Sequence, residues 1–177
     1  MNTKKLAIMA ILTTAALIIF IIEAQIPLPL PIPGAKLGLA NAVTLFALFY
    51  TRKDGSRALK LSNSNVFAIL ICRIFLGIIF TGRVLTLLLS FSGGVFAFAA
   101  MVMIKRVITN KQIWVCGALA AILHNIGQIL AAMVLMGTMA VAAYLPVLII
   151  AGAISGTITG LAAQFTIMRL GKVNLSM

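Results

Sequence analysis

Residues 66–80 read Val66-Phe-Ala-Ile-Leu-Ile-Cys-Arg73-Ile-Phe-Leu-Gly-Ile-Ile-Phe80, one charge inside an otherwise apolar run. A stretch of this kind reads as a membrane helix. A guanidinium keeps its proton at any relevant pH, so at bilayer depth Arg73 must meet a partner, a cavity or an anion. Two other polar interruptions fall in apolar stretches: Ser90-Phe-Ser92-Gly93-Gly94 and His124-Asn125-Ile-Gly127-Gln128. Such placements are costly and point to a site inside a membrane protein.

Working outward, the whole chain has the same character. Of its 177 residues 63% are hydrophobic and 9% charged, and the mean hydropathy is +1.20. The expected fold is an all-α integral membrane protein forming one membrane domain over residues 1–177. Six spans are expected at about 6–22, 37–50, 66–81, 84–104, 113–136 and 144–168, from the need for about 20 apolar residues per crossing. Lys4 and Lys5 precede the first apolar stretch as they would in a signal peptide. No clean small-residue cleavage site opens before Gln25, so an uncleaved first helix is expected. Cys72 and Cys116 lie in separate apolar helices without metal-ligand spacing and read as small packing residues.

The net charge of +12 is distributed between the spans. Alternating sides along the chain puts Lys4, Lys5, Arg52, Lys53, Arg57, Lys60, Lys105, Arg106, Lys111, Arg169 and Lys172 on one side. Only Lys36 and Arg83 fall on the other, and Arg73 lies between. This asymmetry predicts both termini in the cytoplasm. It also accounts for the basic balance without nucleic acid as a partner.

The second span is short, and the prolines at 27, 29, 31 and 33 before it exclude a helix. An apolar extended segment there is expected to act as a lid in the outer leaflet, hinged at Gly34, because irregular backbone at depth needs protein or water beside it. The last span carries Gly152, Gly156 and Gly160 four apart, a groove for close helix packing, within the chain or with a partner.

On this topology Arg73, Ser90, Ser92, His124, Asn125 and Gln128 lie between the midplane and the outer face, with Glu23 and Lys36 near that face. His124 and Gln128 share a helix face. Asn125 flanks it and reads first as a hydrogen bond between helices. The only acids are Glu23 and Asp54. Glu23 is thus the sole carboxylate available to Arg73, which is expected either to pair with neutral acceptors or to bind an anionic or carbonyl-bearing ligand. Lys36, placed at a helix start, would need an anion from Glu23 or from a ligand.

Catalytic constellations are missing. There is no P-loop, no carboxylate cluster for Mg²⁺ and no zinc-ligand set. A serine nucleophile beside His124 would lack a carboxylate at matching depth. Catalysis by this chain alone is not expected, and no cofactor is called for.

The segments Gly34-Ala-Lys-Leu-Gly-Leu-Ala-Asn41, Leu89-Ser-Phe-Ser-Gly-Gly94, Ala121-Ile-Leu-His-Asn-Ile-Gly-Gln128 and Tyr144-Leu-Pro146 resemble the Gx transporter family, also labelled heptaprenyl diphosphate synthase component I. That family is similar to the S components of energy-coupling factor transporters. The resemblance implies a six-helix protein of the bacterial cell membrane. Its small-molecule or lipid ligand would be held near the outer face by the first outer loop and the last three helices. Arg73, His124, Gln128, Asn125, Ser90, Ser92, Lys36 and Asn41 are the candidate ligand-binding residues. The implied partners are a coupling subunit and ATPases. The competing expectations are an accessory membrane subunit of isoprenoid or quinone metabolism, serving a soluble synthase, and a structural partner in a redox complex.

Overall fold

The computed structural model describes residues 3–26, 36–50, 61–82 and 84–173. The proline run with its Gly34 hinge, most of the 51–65 loop and Arg83 lie outside these residues. Among the described residues the protein is all helical, with α1 (Thr3–Glu23), α2 (Asn41–Phe49), α3 (Asn63–Thr81), α4 (Val84–Ile104), α5 (Ile113–Met136) and α6 (Leu145–Val173). Short 3₁₀ turns at Asn110–Gln112 and Met139–Tyr144 lead into α5 and α6. Five segments, built on α1, α3, α4, α5 and α6, are long and apolar enough to cross a membrane. The protein is thus a multi-pass membrane protein by length and composition.

The ends of these helices have local causes. The Ser62 hydroxyl accepts from the Asn65 N–H at 3.3 Å and starts α3. Gly82, at φ +65°, ends it by donating its N–H to the Ile78 carbonyl at 2.7 Å, and Gly137 ends α5 in the same left-handed conformation. Thr109 and Gln112 cap the turn before α5 reciprocally.

Glycines fix the closest helix pair. A Cβ built at Gly156 would lie 2.5 Å from the Gly117 carbonyl oxygen, and one at Gly160 would lie 2.7 Å from the Trp114 Cα. Gly152, Gly156 and Gly160 therefore form an intrachain seam that lets α6 touch the α5 backbone.

Antiparallel packing gathers the loop cations at one end. There Leu45, Leu48, Phe49, Leu61, Val66, Ile69, Met101, Ile113, Cys116 and Ile167 form an apolar core, with Ile8 and Met9 of α1 packed against it. Lys4, Lys5, Lys105, Arg106, Lys111 and Arg169 flank it in sequence, so this is the basic end. At the Glu23 end a smaller apolar cluster joins Leu89, Ile129, Ala132, Val141 and Leu148.

The helix expected over 37–50 is shorter than that, nine residues or about 14 Å, and almost wholly buried. The reason is tertiary. Gly38 takes φ +79°, and the Glu23 carboxylate accepts from the Gly38 and Leu39 N–H groups at 2.6 and 3.2 Å. Residues 36–40 therefore form an extended strap and turn, and the helix starts only at Asn41. Lys36, expected at a helix start, sits in this strap instead. From there the chain runs down α2 to the basic end, where Lys105 Nζ donates to the Leu48 carbonyl near the α2 C-terminus.

Candidate functional site

A layer of polar side chains lies between the two apolar clusters. Arg73 of α3 is 3% exposed. Its Nη2 donates to Asn41 Oδ1 of α2 at 2.5 Å, and Asn41 Nδ2 lies 3.3 Å from His124 Nδ1 of α5. The three residues form one relay across three helices. Its remaining polar atoms are bare: among the described residues, Arg73 Nε, Arg73 Nη1 and His124 Nε2 have no hydrogen-bond partner. A buried charged group with two unmet donors is expensive in isolation, which singles out this point in the fold.

The strap closes the layer. Gln128, one turn beyond His124 on α5, accepts from the Lys36 N–H at 3.0 Å and donates to the Lys36 carbonyl at 2.8 Å. The amide thereby pairs with the strap backbone as a neighbouring strand would. Lys36 Nζ donates to the Phe20 carbonyl at 3.3 Å and lies 3.1 Å from the centre of the Phe20 ring. An ammonium facing carbonyls at the C-terminal end of α1 is favourably placed against the helix dipole.

Small residues make room for the imidazole. A Cβ at Gly93 would lie 2.8 Å from His124 Cε1, and one at Gly38 would lie 3.0 Å from His124 Cδ2. Both glycines are needed for the ring to lie between α4 and the strap. Ser92 Oγ donates to the Gly127 carbonyl at 2.7 Å, which ties α4 to α5 beside the ring. Ser90 is buried on α4.

Thus Arg73, Asn41, His124, Gln128 and Lys36 come together, with Ser92 and Ser90 on the flanking helix. Asn125 does not join them. Its Nδ2 donates to the Leu148 carbonyl at 2.6 Å, on the α6 side of α5. Three contributors are absent from the sequence-derived set. Glu23 binds strap N–H groups rather than serving only as a counter-charge. Gly38 supplies the positive φ. Thr44, next to Asn41 by a turn of α2, buries a hydroxyl with no partner among the described residues. The signal for Gly38 was available in the Leu37-Gly38-Leu39 sequence, since glycine in an apolar lead-in often marks a left-handed turn.

The family model described as heptaprenyl diphosphate synthase component I matches residues 12–166, which include all of α2 to α5 and most of α1 and α6. The chain belongs to that family. No curated protein and no solved structure matches it. Every residue of the relay and of the strap contacts lies inside the matched range. What the layer offers chemically is hydrogen bonding and charge. Among the described residues no group of three or more His, Cys, Asp or Glu side chains could hold a metal ion.

Proposed function

We propose that the protein is a membrane-embedded binding subunit that captures a small molecule at the Arg73–Asn41–His124 layer, resembling an S component of an energy-coupling factor transporter. One observation carries the reading: a buried guanidinium with one protein partner, Asn41, and two donor nitrogens left over. A guanidinium kept only for packing would be paired out, because each unmet donor in a dry site costs about 1–3 kcal/mol. A ligand acceptor removes that cost. The strap above the relay is held by side chains, Glu23 and Gln128, and a segment held in this way can be exchanged against a ligand more readily than a helix can.

Six crossings with both termini in the cytoplasm are part of this reading. The 36–50 segment supports it: α2 is too short to span alone, yet with its strap it runs from the Gln128 layer to the Lys105 end, as a sixth crossing requires. The charge asymmetry then puts the Glu23 end outside the cell. In a chain freed of Cys72 and Cys116, cysteines at Gly82 and Gly137 should label in intact cells, and one at Val107 should label only after permeabilisation. Labelling of all three in intact cells would defeat this orientation.

The family description supports a second reading, in which the chain is a non-catalytic membrane component beside a prenyl diphosphate synthase. One experiment addresses both. The protein is purified in mild detergent, and the material it retains is released by denaturation and identified by mass spectrometry. A stoichiometric small molecule present in wild type and absent in Arg73→Ala is the expected result. A long polyprenyl chain would favour the second reading. Equal retention by both proteins would defeat the first.

A further inference from the structure

The orientation of one amide decides the chemistry of the relay. Arginine has donors only, so the Asn41 atom that meets Arg73 Nη2 is the carbonyl oxygen. The far end of that amide is then an NH₂, which only donates, and it faces His124 Nδ1. In that pairing Nδ1 accepts, and the ring proton sits on Nε2. Arg73 Nε and Nη1 are donors without a partner among the described residues. The unfilled positions of the guanidinium are therefore all donors.

Charge points the same way. Arg73 and Lys36 are buried in this layer, and Glu23 is the one acid among the described residues. Two cations against one carboxylate leave the layer one negative charge short of balance. That carboxylate is moreover already engaged by the Gly38 and Leu39 N–H groups.

We infer that the Arg73–Asn41–His124 relay is a receptor for an oxyanion, a carboxylate or phosphate group, with Asn41 as the positioning residue that keeps His124 an Nε2–H donor. This rests on the ligand-binding reading above and adds the class of ligand. A single oxyanion supplies several acceptors to the fork of the guanidinium and to the imidazole, and it restores neutrality. A cation or an uncharged hydrocarbon supplies neither. The same chemistry is found on a soluble acid and on an anionic lipid, so the probes must separate them.

His124 is the only histidine in the chain, so ¹⁵N-labelled histidine gives one pair of ring signals. The purified protein should show a protonated Nε2 and a bare Nδ1, and Asn41→Asp should reverse this, because a carboxylate at position 41 can only accept. In detergent melting, acetate, inorganic phosphate and geranyl phosphate are compared with geraniol. At least one anion should stabilise wild type where geraniol does not. Asn41→Asp should weaken that anion roughly a hundredfold, since it both flips the ring and adds a repelling charge. Stabilisation by acetate or inorganic phosphate identifies a soluble acid as the source, and by geranyl phosphate alone a lipid. An Nδ1–H ring in wild type, or no stabilisation by any of the three anions, would overturn the inference. Loss of the co-purified molecule in Arg73→Ala would still stand as evidence for a binding site in that case.

Discussion

The basic end and the Glu23 side of the bundle are built on different principles. Around Leu48, Ile69 and Ile113 the helices meet through interlocked apolar side chains that leave almost nothing exposed. One turn or two further along α3 and α5, the contacts become single hydrogen bonds from Arg73, His124 and Gln128 to an amide or to strap backbone. The first region is closed by packing, which cannot be undone piecemeal. The second is a set of directional bonds with donors to spare. Stability belongs to the apolar half and exchange of partners to the polar half.

If that division holds, truncation in the apolar half has the largest effect on folding and the least on ligand contacts. Ile69 is 1% exposed. Ile69→Ala should cost about 2–5 kcal/mol, seen as a large fall in detergent melting temperature, while the folded fraction keeps its ligand. Loss of ligand without loss of stability would break the comparison.

Gln128→Leu comes next. It leaves the Lys36 N–H and carbonyl without their pairing and should cost about 1–3 kcal/mol. Its sharper signature is faster hydrogen exchange at Lys36, Gly38 and Leu39, with the α5–α6 seam unchanged. Unaltered exchange in the strap would mean that Gln128 does not hold it.

Much of this organisation was legible before the structure. The long apolar runs around Arg73, His124 and the Gly152, Gly156 and Gly160 series placed α3, α5 and α6 closely, because hydropathy and small-residue spacing act locally along a helix. The strap was not legible as non-helical backbone. Its conformation depends on Glu23, which lies 15 and 16 residues away from its partners, and on Gln128, which lies 92 away. Adjacency in sequence did not tie Asn125 to His124: the sequence reads Asn125 first as a hydrogen bond between helices, and it makes one to the Leu148 carbonyl. Neighbours on a helix point about 100° apart, so one faces the strap and the other faces α6. Which of the two joined Arg73 depended on where α2 came to rest.

A smaller effect is expected at the junction of the strap-and-α2 segment with the basic end. Lys105 Nζ meets the Leu48 carbonyl and lies 5.8 Å from the Phe49 ring centre. Lys105→Met should cost about 1 kcal/mol, measured by melting, with ligand affinity within about twofold of wild type. A large loss of affinity would show that the two halves are coupled through α2.

Arg73→Met tests the division most directly, because the residue is buried as deeply as the core yet is assigned to binding. The paired measurement is detergent melting temperature and retained ligand for the same preparation. The account predicts that the ligand is lost while the melting temperature holds or rises, since removing a buried charge with unmet donors relieves the fold. A collapsed melting temperature with the ligand still bound in the remaining folded protein would contradict it and make Arg73 part of the scaffold.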